Sequence, residues 1–144
     1  MNMKSSKLLL LVFTTGIFLA GCKKDGEGST DPNILIVGSW RLVQTGTDVN
    51  GNDRIDPGEN NILPANYLRV DTYSPNKNGR TVVQLPGIFS TTEDFTYASI
   101  TENNLKLTIS GSVKNYKIIM LSSTSLLFYE ANTDPHLIFA FTKQ

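Results

Sequence analysis

From Ile34 to the end of the chain, apolar residues fall at every second position or in short unbroken runs. No window sustains the 3.6-residue period of an amphipathic helix. Leu105, Leu107 and Ile109 alternate with polar neighbours, as do Tyr116, Ile118 and Met120, then Leu126 and Phe128, then Leu137, Phe139 and Phe141. Alternation with period two is what a strand with one buried face requires. The pattern predicts strands near 34–46, 67–74, 80–85, 94–100, 104–110, 114–121, 125–131 and 137–143. Gly111-Ser112 and Ser122-Ser123-Thr124 are short turn sequences, so the last four strands form an antiparallel meander. Pro75-Asn76-Lys77-Asn78-Gly79 makes a longer hairpin between two earlier strands.

Eight short strands joined by tight turns predict an all-β fold, a barrel or a sandwich. The meander favours a single small antiparallel up-and-down β-barrel of about eight strands, because hairpin-linked strands close without long crossings and leave no open edge. Residues 34–144 number 111, enough to bury one core. Phe89, Phe95, Tyr116, Met120, Phe128, Phe139 and Phe141 are expected to fill such a barrel. Tyr67, Tyr73, Tyr97, Tyr116 and Tyr129 either line a ligand cup or pack with their hydroxyls at the rim.

Charge narrows the functional classes. The 144 residues carry 13 basic and 13 acidic side chains, without the basic excess that phosphate tracking on nucleic acid needs. One cysteine is too few for a disulfide scaffold or a thiolate zinc site. It stands at the end of a leader. Lys4 and Lys7 precede the 13-residue apolar run Leu8–Ala20, too short to span a bilayer as a helix but right for the core of a signal peptide. The run closes on Leu19-Ala20-Gly21-Cys22, which resembles a bacterial lipobox; an ordinary secretory signal is the alternative. The resemblance implies cleavage after residue 21 and acyl chains such as palmitate on Cys22. Lys23 after the cysteine, where aspartate could stand, resembles lipoproteins released to the outer membrane of Gram-negative bacteria, which implies a lipid-anchored chain there, facing the periplasm or the cell surface. Two or more acyl chains suffice for stable anchoring. Removal of residues 1–21 takes away Lys4 and Lys7, leaving 11 basic and 13 acidic side chains and a net charge of −2. Residues 23–33 hold no large apolar side chain and read as a tether with an end-to-end distance of about 18 Å. Three segments result: a signal peptide over 1–21, an acylated cysteine with its tether over 22–33, and the barrel domain over 34–144.

Val37-Gly38-Ser39-Trp40-Arg41-Leu42 resembles the G-x-W motif that opens lipocalin and lipocalin-like barrels. Asn104-Leu-Lys-Leu-Thr-Ile-Ser and the segment from Tyr116 to Phe128 resemble further strands of that family. The chain is therefore similar, over about 34–144, to the small lipocalin-like domains of bacterial lipoproteins. The resemblance implies that Gly38 permits close strand approach and that Trp40 plugs the closed end of the barrel. Two departures stand out. The last strand offers Lys143 where larger lipocalins pack an arginine on the tryptophan, and segment 48–66 is unlike the usual short first hairpin.

That segment contains Asp48-Val-Asn-Gly-Asn-Asp-Arg-Ile-Asp-Pro-Gly-Glu59, which resembles an EF-hand loop and the calcium loops of adhesin repeats. Calcium takes six to eight oxygens, and a 12-residue loop supplies them from positions 1, 3, 5, 7, 9 and 12. Here those are Asp48, Asn50, Asn52, the Arg54 carbonyl, Asp56 and Glu59, and the loop carries a local charge of −3. Asp53 replaces the usual glycine at position six, where a left-handed backbone is expected. A polar turn around Asn50-Gly51 is the alternative.

Catalysis finds little support. His136, the only histidine, follows Asp134-Pro135 at a turn, with no nucleophile motif near it, and Glu93 and Asp94 point to opposite faces of a strand. Two readings of function remain for a non-enzymatic, monomeric lipoprotein. In one the barrel binds a small apolar ligand. In the other a filled barrel with a calcium-ordered loop is a structural, interaction or inhibitor module that contacts an envelope protein. The internal volume of the domain separates the two.

Overall fold

The alternation fixes a closed sheet. The computed structural model describes residues 28–144, and the expectations for the signal peptide, for Cys22 and for the tether as far as residue 27 lie outside the described residues. A short helix, α1 (Pro32–Leu35), precedes β1 (Gly38–Asp48), β2 (Asn60–Asn61), β3 (Leu68–Tyr73), β4 (Asn78–Leu85), β5 (Phe89–Tyr97), β6 (Asn104–Ile109), β7 (Ser112–Leu121), β8 (Ser125–Glu130) and β9 (His136–Lys143). From β3 onward each strand pairs antiparallel with the next. β1 pairs with both β3 and β9, which closes an eight-stranded barrel and leaves β2 as a two-residue addition to β1. The fold is the up-and-down barrel that the meander implies.

Local differences have local causes. Residues 34–37 are not strand: the Asp31 carboxylate accepts the Asn33 N–H at 2.8 Å and Pro32 sits in the first turn, so Asp-Pro starts a helix here. β5 begins at Phe89, earlier than expected, because Ser90-Thr91-Thr92 suits a strand without burying anything. Phe89 is accordingly 46% exposed and does not fill the core. Nor does Met120, which is 50% exposed: a register shift between Ile118 and Met120 in the β7–β8 pairing turns it outward. A similar shift between Leu42 and Gln44 exposes Val43 and brings Thr45 inward, opposite Phe139.

The buried cluster fills one half of the barrel. Trp40, Tyr73, Phe128 and Phe141 are its largest fully buried side chains, with Phe95, Tyr97, Leu105 and Leu126 packed among them. Tyr73 meets Phe95 and Tyr97 edge-on at 5.3 Å, and Phe128 stacks on Phe141 at 5.3 Å. The end of this half is closed by α1. The Trp40 indole N–H donates to the Ile36 carbonyl at 2.7 Å, and Lys143 crosses the indole face at 5.0 Å to donate to the Leu35 carbonyl at 3.0 Å. Gly38 has φ +133°, and a Cβ there would fall 2.6 Å from Lys143 Cε. The glycine of the G-x-W pattern is thus needed chiefly for its backbone conformation, which a side chain would strain, and its missing Cβ also leaves room for the lysine. The Asn33 side chain ties α1 to the barrel by accepting the Ile100 N–H at 2.8 Å and donating to its carbonyl at 3.3 Å.

Candidate functional site: the open half of the barrel and the loop beside it

The other half of the barrel is not filled. Strand register places Arg69, Asp71, Thr81, Val83, Glu93, Leu107, Ile109, Lys114, Tyr116, Glu130 and Phe139 on the inner face. All of these except Asp71, together with Ser110 and Ser112, line a half-open cup of about 540 Å³. β5 and β6 pair only over Phe95–Tyr97 and Leu107–Ile109, so the wall is thin beside Glu93. A groove of similar size, about 530 Å³, runs over the outer wall past Arg80 and Asp94. It is bordered by an exposed ion pair and reaches no buried polar group.

The floor of the cup is polar. Asp71 is 1% exposed and accepts hydrogen bonds from Arg69 Nε at 3.0 Å, Arg69 Nη2 at 2.9 Å and the Thr81 hydroxyl at 2.9 Å. A buried carboxylate survives only with such compensation. The guanidinium also lies 5.3 and 5.5 Å from the ring centres of Phe139 and Phe141, which hold it from the side. Burial works against the Arg69 charge, but Asp71 outweighs it and raises the pKa. Tyr116, pushed up to about 12 by burial and by Glu130, keeps its proton. The Tyr73 hydroxyl is buried and has no hydrogen-bond partner among the described residues. Of the five tyrosines considered as cup residues, only Tyr116 lines the cup. Tyr73 and Tyr97 belong to the filled half, Tyr67 packs at its margin, and Tyr129 faces outward, stacked on His136 at 4.0 Å. The Arg69–Asp71 pair was missed in the sequence. The signal available was an opposite charge at i and i+2 in a predicted strand, on the same face as Tyr73.

The Asp48–Glu59 loop lies at the same end as the cup mouth, outside the barrel wall. Asp48 stands opposite His136 on the outer face of β1 and β9 and is 2% exposed. Gly46, one turn of the pleat away, leaves the space that Ile55 fills, and Glu59 accepts at its carbonyl from the Thr47 N–H at 2.9 Å. The loop is therefore folded back on its own strand. Its side chains form one hydrogen-bonded ring. Asp48 Oδ1 accepts from the N–H groups of Gly51 at 2.7 Å and Asn52 at 3.1 Å, and its Oδ2 accepts from Asp53 at 2.8 Å. Glu59 accepts from the N–H groups of Val49 at 3.0 Å and Asp56 at 2.9 Å. Asp56 Oδ2 accepts from the Asn50 and Asn52 amides at 2.9 and 2.7 Å. Arg54 joins through its N–H, which donates to the Asn52 side-chain oxygen at 2.9 Å. Asp53 takes φ +58°, the left-handed conformation expected at position six.

The side chains of five of the six expected calcium ligands thus take part in one hydrogen-bond network, most of it made to the loop's own backbone. Burial pushes the Asp48 carboxyl up, but the N–H groups of Asp53, Asn52 and Gly51 and the nearby His136 prevail, and its pKa is lowered. The amides of Asn50 and Asn52 lower that of Asp56, against a smaller effect of burial. Oxygen faces the ring from Asp48, Asp56 and Glu59. Asn50 and Asn52 present nitrogen to Asp56, and their oxygens are already taken by the N–H groups of Asn52 and Arg54. As it stands the loop satisfies its own polar groups, and Asp48, Asp56 and Glu59 do not all bring carboxylate oxygens to within 4.8 Å of one another. His136 adds a feature the sequence did not suggest: its Nδ1 is 3.5 Å from Asp53 Oδ1, and Asp48, Asp53 and His136 have ligand atoms within 4.8 Å of one another.

No protein-family model matches the chain, and no curated protein sequence matches it.

Proposed function

We propose that this protein is a lipid-anchored, lipocalin-like barrel of the bacterial outer membrane that binds a small amphipathic molecule and performs no catalysis. One observation carries the binding reading: a cup of about 540 Å³ in the open half of a barrel whose other half is packed solid. A pocket of a few hundred Å³ with mixed apolar walls and a few placed polar groups is the usual form of a small-molecule site. The packed half and its Trp40 plug act as a rigid base. The membrane anchor rests on the Leu19-Ala20-Gly21-Cys22 sequence. His136 lies outside the barrel wall, away from the cup, which supports a role in holding the loop rather than in chemistry. Calcium in the Asp48–Glu59 ring would neutralise its acids and stiffen the segment that leaves β1.

The test is titration of the purified protein with the uncharged fluorophore 1-aminoanthracene. The expected result is saturable one-to-one binding in the wild type and its loss in Val83→Trp, which places an indole in the cup. Binding that survives unchanged in Val83→Trp would move the site elsewhere. A second reading, contact with an envelope protein as an interaction or inhibitor module, draws on apolar side chains exposed at the mouth end: Ile62 at 96%, Ile88 at 74% and Val49 at 73%. Crosslinking in whole cells from position 62 or 88 to a defined partner would support it.

A further inference from the structure

The charges in the cup are arranged to cancel. Arg69 spends Nε and Nη2 on Asp71, so the cation at the floor meets an anion already in contact with it. Lys114 and Glu130 face each other across the wall at 3.6 Å. Glu93 has no ion pair among the described residues, so with Asp71 counted beneath the lining the cup carries one net negative charge. Yet hydrogen-bonding capacity is left over. Arg69 Nη1 and the Tyr116 hydroxyl have no partner among the described residues. Neither is sealed from solvent, and both residues line the cup. The floor therefore offers donors without net charge, and the acids nearer the mouth offer acceptors. Leu107, Ile109 and Phe139 supply the apolar wall between.

We propose that the cup selects an uncharged amphipathic ligand whose head group both accepts and donates hydrogen bonds, a primary amide being the simplest case, and discriminates against carboxylates. This rests on the reading of the cup as a ligand site. A carbonyl oxygen at the floor accepts from Arg69 Nη1 and Tyr116 while the amide N–H₂ turns toward Glu130 or Glu93. A carboxylate in the same place loses its hydration next to Asp71 and gains no uncompensated cation, which disfavours the charged form. Its second oxygen would also face an acid instead of a donor.

The experiment compares 4-butylbenzamide with 4-butylbenzoate, which differ only in the head group. Each is titrated calorimetrically into the full chain in lipid nanodiscs at pH 7.5, with empty nanodiscs as the blank. The amide is expected to bind at least ten-fold more tightly. Asp71→Asn frees the guanidinium and is expected to reverse the order, the benzoate gaining ten-fold or more. Glu93→Gln, an exposed change that leaves the buried pair intact, is expected to narrow the wild-type preference several-fold. Benzoate binding as tightly as the amide in the wild type, or a preference of wild-type size in both variants, would overturn the selectivity while the cup remained a ligand site. Failure of both compounds to bind at millimolar concentration would overturn the ligand-site reading and the selectivity with it.

Discussion

Replacing Trp40 by alanine tests the architecture at its most committed point. The indole is fully buried and touches three elements: β1 carries it, the Ile36 carbonyl after α1 accepts its N–H at 2.7 Å, and Lys143 of β9 lies over its face at 5.0 Å. Truncating a buried tryptophan to alanine costs about 3–5 kcal/mol through lost transfer energy and the cavity left behind. The indole–carbonyl bond adds about 1 kcal/mol, because the Ile36 oxygen loses its donor. The contact with the lysine adds about 0.5–1 kcal/mol. These contributions overlap, so the expected loss is about 4–5 kcal/mol, comparable with the lower end of the total stability of a domain this size. Trp40→Phe keeps most of the ring and loses the N–H, for an expected cost of about 1–2 kcal/mol. Because Trp40 is the only tryptophan, the transitions should be followed by far-ultraviolet circular dichroism in urea, with the slope checked for constancy. A loss below about 1 kcal/mol in Trp40→Ala would mean that the plug does not hold α1 to the barrel, and the account of Gly38, Trp40 and Lys143 would fail with it.

Four further outcomes are expected. Cys22→Ser should abolish incorporation of labelled palmitate and release the chain from the membrane fraction; wild-type fractionation would refute the anchor. Calcium at several millimolar should raise Tm and give a calorimetric binding signal, both lost in Asp48→Ala plus Glu59→Ala, whereas no heat and no shift with or without chelator would sink the site. The lowered pKa values of Asp48 and Asp56 mean that the loop's contribution is present above the ordinary aspartate range of about 4 and is lost as pH falls below it. Tm measured from pH 6 to pH 3 should therefore fall less steeply in Asp56→Asn than in the wild type, and parallel curves would contradict the assignment. His136→Ala should leave 1-aminoanthracene affinity unchanged within two-fold, because the ring stacks on Tyr129 outside the barrel; complete loss of binding in a folded variant would return His136 to the site.

The barrel was legible in the sequence because period-two burial and short turns are local signals, and they agree along the whole meander from β6 to β9. What was not legible depends on register. The turns do not mark the one-residue shift at Ile118–Met120, and a single shift moves a methionine from core to solvent. The same blindness hid the cup. A list of aromatics says that a barrel can be filled, but filling requires them at the right height on the right face. Phe95, Phe128 and Phe141 meet that requirement, whereas Phe89 sits at the exposed tip of the β4–β5 hairpin. The volume left in the open half is the consequence, and it is there that β3 turns Arg69 and Asp71 inward. Two ionisable groups at alternate positions of a strand normally mark its solvent face. Here the same spacing lets each satisfy the other, so the pair can be turned in without leaving a bare charge. Replacing the pair by apolar residues of similar volume would cost little stability on general grounds. The pair therefore weighs less as an explanation of the fold than as an explanation of the cup, whose floor it makes both polar and electrically neutral.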